Sequence, residues 1–143
     1  MKAFRRCVLL MSLSLAVAAA DYKPGWNAEQ FYEEMTTCRT AIVFPAINAY
    51  LQMGVAAKKT AEDLRKESIS MLPVFEHAAS AGCFCALNEL AKVKDYPSYF
   101  GTGDFTARMT LVKEQLDLPV CGQSMESAVE GMNKQRAEAM RLK

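Results

Sequence analysis

The sequence predicts an all-α protein, an irregular bundle of four to six helices stapled by two disulfides. Three observations carry this. Apolar residues recur at steps of three and four, and no stretch alternates with period two for long enough to make a strand. Residues that cap helix N-termini stand ahead of most of these runs. Four cysteines (Cys38, Cys83, Cys85 and Cys121) follow an export-type leader, and an even count in that setting reads as a disulfide framework.

The leader comes first. Lys2, Arg5 and Arg6 form a positive region, Cys7 to Leu15 an apolar run, and Ala18-Ala19-Ala20 the small residues that precede signal cleavage. The apolar run is shorter than the ~20 residues a bilayer requires. Residues 1–20 are therefore expected to be a removed signal peptide, and residues 21–143 a single helical domain in the periplasm or outside the cell. After removal no second apolar run is expected to cross a membrane. The leader holds three of the 17 Lys and Arg residues and none of the 16 Asp and Glu, so the mature chain carries 14 basic and 16 acidic residues, a formal charge of −2. That balance disfavours nucleic acid or an anionic membrane surface as the main partner, since both call for a basic field.

The first helix is expected to begin after Asn27, with Gln30 completing a capping box and Trp26 and Phe31 a hydrophobic staple. Phe31, Met35, Cys38 and Ile42 make one face; Glu29, Glu33, Glu34 and Arg39 are expected off it, in solvent. Pro45 should kink this helix or split it in two. The pattern resumes at Ile47, Tyr50, Leu51 and Met53, with Gly54 as a stop. Thr60 caps the next helix, with Glu62 and Asp63 in its first turn. Pro73 is expected to end that helix and open another, which runs through the cysteine pair to Val93, with Gly82 weakening its continuity.

Asp95 to Gly103 reads as a loop carrying Tyr96, Tyr99 and Phe100. Those aromatics suit a protein interface, or they fold inward as a plug over the end of the bundle. Asp104 caps a helix with Phe105, Met109, Val112 and Leu116 on its face. Cys121 is expected in a turn between Pro119 and Gly122, and the last helix to start at Ser124 and run along Met125, Val129 and Met132.

Helical phase assigns the disulfides. Positions 83 and 85 of one helix point roughly 200° apart, because each residue turns ~100°. Cys83 lies over Leu87 and Leu90, the core stripe, and faces the core-side Cys38. Cys85 lies over Asn88, Glu89 and Lys92, and is left for Cys121. The expected bonds are Cys38–Cys83 and Cys85–Cys121, with the swapped pairing as rival.

Little here points to catalysis. A redox-active Cys-X-Cys is a weaker signal than Cys-X-X-Cys at a helix N-terminus, and no βαβ pattern surrounds it. One close cysteine pair does not make a zinc signature. His77, the one histidine, has no nucleophile motif beside it and reads as a helix-surface or half-buried imidazole beside Glu76. The seven methionines left after processing read as core filler or a pliable binding surface. Gly101-Thr102-Gly103-Asp104 reads as a capped turn, and the carboxylates as caps and solvated faces. No metal site and no cofactor is expected. The functional expectation is a non-enzymatic protein-binding module of the inhibitor, immunity or envelope-accessory type, with another exported or envelope protein as partner. A thiol–disulfide redox protein using Cys83 and Cys85, or a helical carrier of a small apolar ligand, are the alternatives. The even cysteine count predicts that mature protein recovered from its native compartment has no free thiol. Titration of the unfolded, unreduced protein checks this, and two or four reactive thiols would refute the framework.

Overall fold

A computed structural model describes residues 22–141; the expected leader lies outside them. Five helices follow in order: α1 (Ala28–Ala56), α2 (Ala61–Val93), α3 (Tyr96–Phe100), α4 (Phe105–Leu116) and α5 (Pro119–Arg141). The described residues contain no strand.

Helix α2 is the centre of the bundle. Helices α1, α4 and α5 make their main contacts with it and few with one another. Along α1, Cys38 meets Cys83, Tyr50 meets Glu67 and Gly54 meets Leu64, so α1 and α2 form an antiparallel hairpin. Along α5, Cys121 meets Cys85, Met125 meets Gly82 and Arg136 meets Ser70, so α5 is antiparallel to α2 as well. Helix α2 has 33 residues and an 18-residue window of mean hydropathy 1.2, long and apolar enough to cross a membrane, which corrects the expectation that no such run remains. Its buried residues include Val74, Ala79, Cys83, Ala86, Leu87 and Leu90, the contact surface for three neighbouring helices.

The start of α1 follows its sequence signals. The Asn27 side chain accepts from Gln30 N at 3.0 Å, and Gln30 returns the bond to Asn27 N at 3.1 Å. The Trp26 and Phe31 rings lie 6.1 Å apart, as a staple requires. Pro45 does not split the helix. The covered face continues across it, from Cys38 and Ile42 through Ala46 and Tyr50 to Gly54, at steps of four residues. Met53, expected inside, is 64 % exposed. Gly54 is not the stop; it is buried within the helix, where a Cβ would strike the Leu64 side chain. Lys58 makes the turn in the left-handed region, at φ 57°.

Three other boundaries differ from expectation. Helix α2 runs unbroken through Pro73. Pro73 is exposed, so the carbonyl it leaves without a donor can be hydrated, while Val74 and Ala79 stay packed. The segment Asp95 to Gly103 contains the short helix α3, capped by Asp95, which accepts from Ser98 N at 2.9 Å. Helix α5 begins at Pro119, not Ser124, with proline at a first-turn position that suits its fixed φ. Cys121 therefore sits in a helical first turn, fully buried. Asp104 caps α4 as expected, accepting from Ala107 N at 3.0 Å. On the face of α4 Val112 is buried, but Phe105 is 50 % exposed.

The disulfides are Cys38–Cys83 and Cys85–Cys121, with Cα separations of 5.9 and 5.4 Å. The core gathers Cys38, Cys83, Ala86, Leu87, Leu90, Tyr99 and Val112. The sequence separations, 45 and 36 residues, are close enough that chain entropy assigns each bond about 4 kcal/mol. Packing must separate them, and only the first bond belongs to the central core. Cys38→Ser is expected to lower the urea midpoint more than Cys121→Ser; equal midpoints would show that core packing adds nothing to the first bond.

Candidate functional site

The stapled end of the bundle carries the unusual chemistry. Residues 22–26 run across the end of α2: Lys23 N donates to Ala91 O at 2.7 Å, Trp26 Nε1 to Lys94 O at 2.8 Å, and the Tyr22 hydroxyl to Asn88. Tyr96 N donates back to Pro24 O at 3.1 Å. These bonds hold Trp26 over α3 and start a chain of ring contacts. Phe84 meets Phe31 at 5.7 Å, Phe31 meets Trp26 at 6.1 Å, Trp26 meets Tyr96 at 5.0 Å, and Tyr96 meets Phe100 at 5.8 Å. Arg108 closes the series, its guanidinium 4.9 Å from the Phe100 centroid. The two ends face solvent, Phe84 at 56 % and Phe100 at 54 % exposure.

Of the three loop aromatics, Phe100 is exposed, Tyr96 half-buried and Tyr99 fully buried. Tyr99 is the plug, and its hydroxyl donates to Glu34 Oε2 at 2.8 Å. Burial first, and the Glu34 bond second, push its phenol far above the ordinary 10.0. Burial likewise raises Tyr96, with Glu34 and Glu33 adding to it. Glu34 itself corrects the expectation of a solvated carboxylate, being only 5 % exposed. The signal was present: Glu34 stands three residues after Phe31 and four before Cys38, on the core stripe. Its partner lies 65 residues away, beyond any local pattern.

The cysteines of Cys-X-Cys belong to different bridges. Cys83 is fully exposure-free and Cys85 half-buried, which leaves little room for thiolate attack at the first. His77 is exposed in a groove of about 320 Å³ with Arg39, Pro73, Glu76, Ser80 and Met132. Ser80 Oγ donates to the Glu76 carbonyl at 2.7 Å, a bond within the helix and not to the histidine. An adjoining groove of about 230 Å³ lies along α1 between Tyr32 and Phe44, again with Arg39 and Glu76. Both grooves are open to solvent.

No family model, curated protein or solved structure matches this chain.

Removing the Tyr99 hydroxyl strands a buried carboxylate. Tyr99→Phe is expected to cost ~1–3 kcal/mol in urea unfolding, and adding Glu34→Leu to recover part of it. Because the folded state raises the Tyr99 pKa above its unfolded value near 10.0, its contribution is complete below pH 10 and is lost as pH rises further. Stability of the Tyr99→Phe variant should therefore fall less steeply above pH 10 than that of the parent.

Proposed function

We propose that this protein is a rigid, non-enzymatic binding module, exported to the periplasm or beyond the cell, whose partner is another exported or envelope protein. The observation that carries the reading is Phe84. It is more than half exposed, yet its backbone is pinned on both sides by disulfide cysteines and its ring rests on Phe31. Aromatic anchors dominate binding energy at protein interfaces, and an anchor already fixed in place loses little freedom when it binds. Phe100, packed on Tyr96 and beneath Arg108, supplies a second anchor at the other end of the ring series.

Further support comes from what frames these residues. The two disulfides accord with an oxidising, exported setting. The likeness to inhibitors, immunity proteins and envelope accessories is one of physical type: a small stapled helical body that offers rigid aromatic contacts in place of a catalytic group.

The test begins with the oxidised mature protein immobilised against envelope or secreted extract, with captured proteins identified and then purified. Phe84→Ala and Phe100→Ala are each expected to weaken binding of the purified partner at least ~10-fold by calorimetry, since anchors of this kind are worth more than about 1 kcal/mol. Both variants should keep two disulfides and the parent's circular dichroism. Undiminished binding by both would refute the assignment. A partner trapped only as a mixed disulfide would move the reading to thiol exchange.

A further inference from the structure

Helix α5 is held differently from its neighbours. Of its 23 residues Cys121 alone is buried, while Met125, Val129 and Met132 are half-buried. It packs on α2 and makes few other contacts. The two disulfides differ as well. Cys38 and Cys83 lie in the central core, 1 % and 0 % exposed. The second bond lies outside that core cluster. Cys121 is fully buried, but Cys85 is half-buried, on the flank of α2 with Asn88, Glu89 and Lys92. Space is open beside Cys121 too, since a Cβ added at Gly122 would meet no atom within 4 Å.

We propose that the Cys85–Cys121 bond is a redox switch: a dithiol opens it and frees the N-terminal half of α5, while Cys38–Cys83 keeps the α1–α2 hairpin closed. Thiol–disulfide exchange requires access to one sulfur. Of the four cysteines only Cys85 is not fully buried. One thiolate of the dithiol attacks Cys85 Sγ. The bond to Cys121 breaks, and Cys121 leaves with the electron pair as a thiolate. It does so in the first turn of α5, where the positive end of the helix dipole favours a negative charge. The second thiol of the reagent, deprotonated, attacks the reagent sulfur of the mixed disulfide and releases Cys85 as a thiolate. Two electrons have then passed from the dithiol to the cystine, and its two protons reach Cys85 and Cys121 through solvent. Helix α5 has lost its one buried anchor. What remains is half-buried contact, such as Met125 on Gly82, and the bond from Arg136 to the Ser70 carbonyl at 3.0 Å, near the far end of the helix. The first turns of α5 are therefore the part set free. This switch does not rest on the aromatic binding reading.

The test is a titration of the oxidised mature protein with dithiothreitol under native conditions. Thiols are trapped with iodoacetamide, and the bonds are mapped after chymotryptic cleavage at Phe84. A species alkylated at Cys85 and Cys121, with Cys38–Cys83 intact, should accumulate, the first bond opening at least ~10-fold faster than the second. In that species amide hydrogen exchange should rise over residues 119–130 and stay unchanged in α1. The double variant Cys85→Ser with Cys121→Ser should show the same exchange pattern with no dithiol present. Equal opening rates, earlier opening of Cys38–Cys83, or no opening of either bond before the protein unfolds would each overturn the proposal. So would selective opening that leaves exchange in α5 unchanged.

Discussion

The fold depends on one geometric fact about helices. Residues two apart on a helix point to nearly opposite sides, so Cys83 and Cys85 cannot bond each other without breaking α2. They bond outward instead, Cys83 to α1 and Cys85 to α5. A single turn of the central helix thus anchors both of its long neighbours. With α1 and α5 making few contacts between themselves, these two bonds and the packing on α2 determine the arrangement. That division of labour suits a domain of ~120 residues, whose core is modest. Here much of the buried volume is cysteine, alanine and leucine along one stripe of α2.

The prolines show how tertiary packing overrides a local rule. Pro73 and Pro45 both lie inside continuous helices. Each forfeits one backbone hydrogen bond, a cost of about 3 kcal/mol in an isolated helix interior. Both lie on exposed faces, where water can satisfy the freed carbonyl. The packed residues continue past both, Val74 and Ala79 in α2 and Ala46 and Tyr50 in α1. Gly54 and Lys58 then exchange the roles their residue types suggest. The glycine is needed where Leu64 presses against α1, and lysine takes the left-handed turn position.

At the other end of the molecule, the N-terminal arm, α3 and the start of α4 form one assembly of rings around the Glu34–Tyr99 hydrogen bond. A carboxylate in this position is tolerable because a phenol reaches it. The same rings that close the core extend outward to Phe84 and Phe100, so the rigidity of the plug is shared by the exposed anchors. Structure and surface are coupled here through stacked side chains and two disulfides, with no moving part required.

Much of this was legible in the chain itself. Apolar spacing determined that the protein is helical; Asn27, Thr60 and Asp104 located three helix starts; and helical phase paired all four cysteines. These are properties of local geometry, and local geometry is written in short intervals of sequence. The tertiary structure decided what those intervals cannot hold. Whether a proline ends a helix depends on what packs against its flanks: Pro73 lies inside α2, while Pro119 opens α5. Glu34 lay visibly on the core stripe, but the phenol that lets it stay there comes from 65 residues away. Phe100 stood out as a loop aromatic, but its link to Phe84 was hidden, because the two are joined only through Phe31, Trp26 and Tyr96. Long-range pairing of this kind is a property of the packed chain, and no local period encodes it.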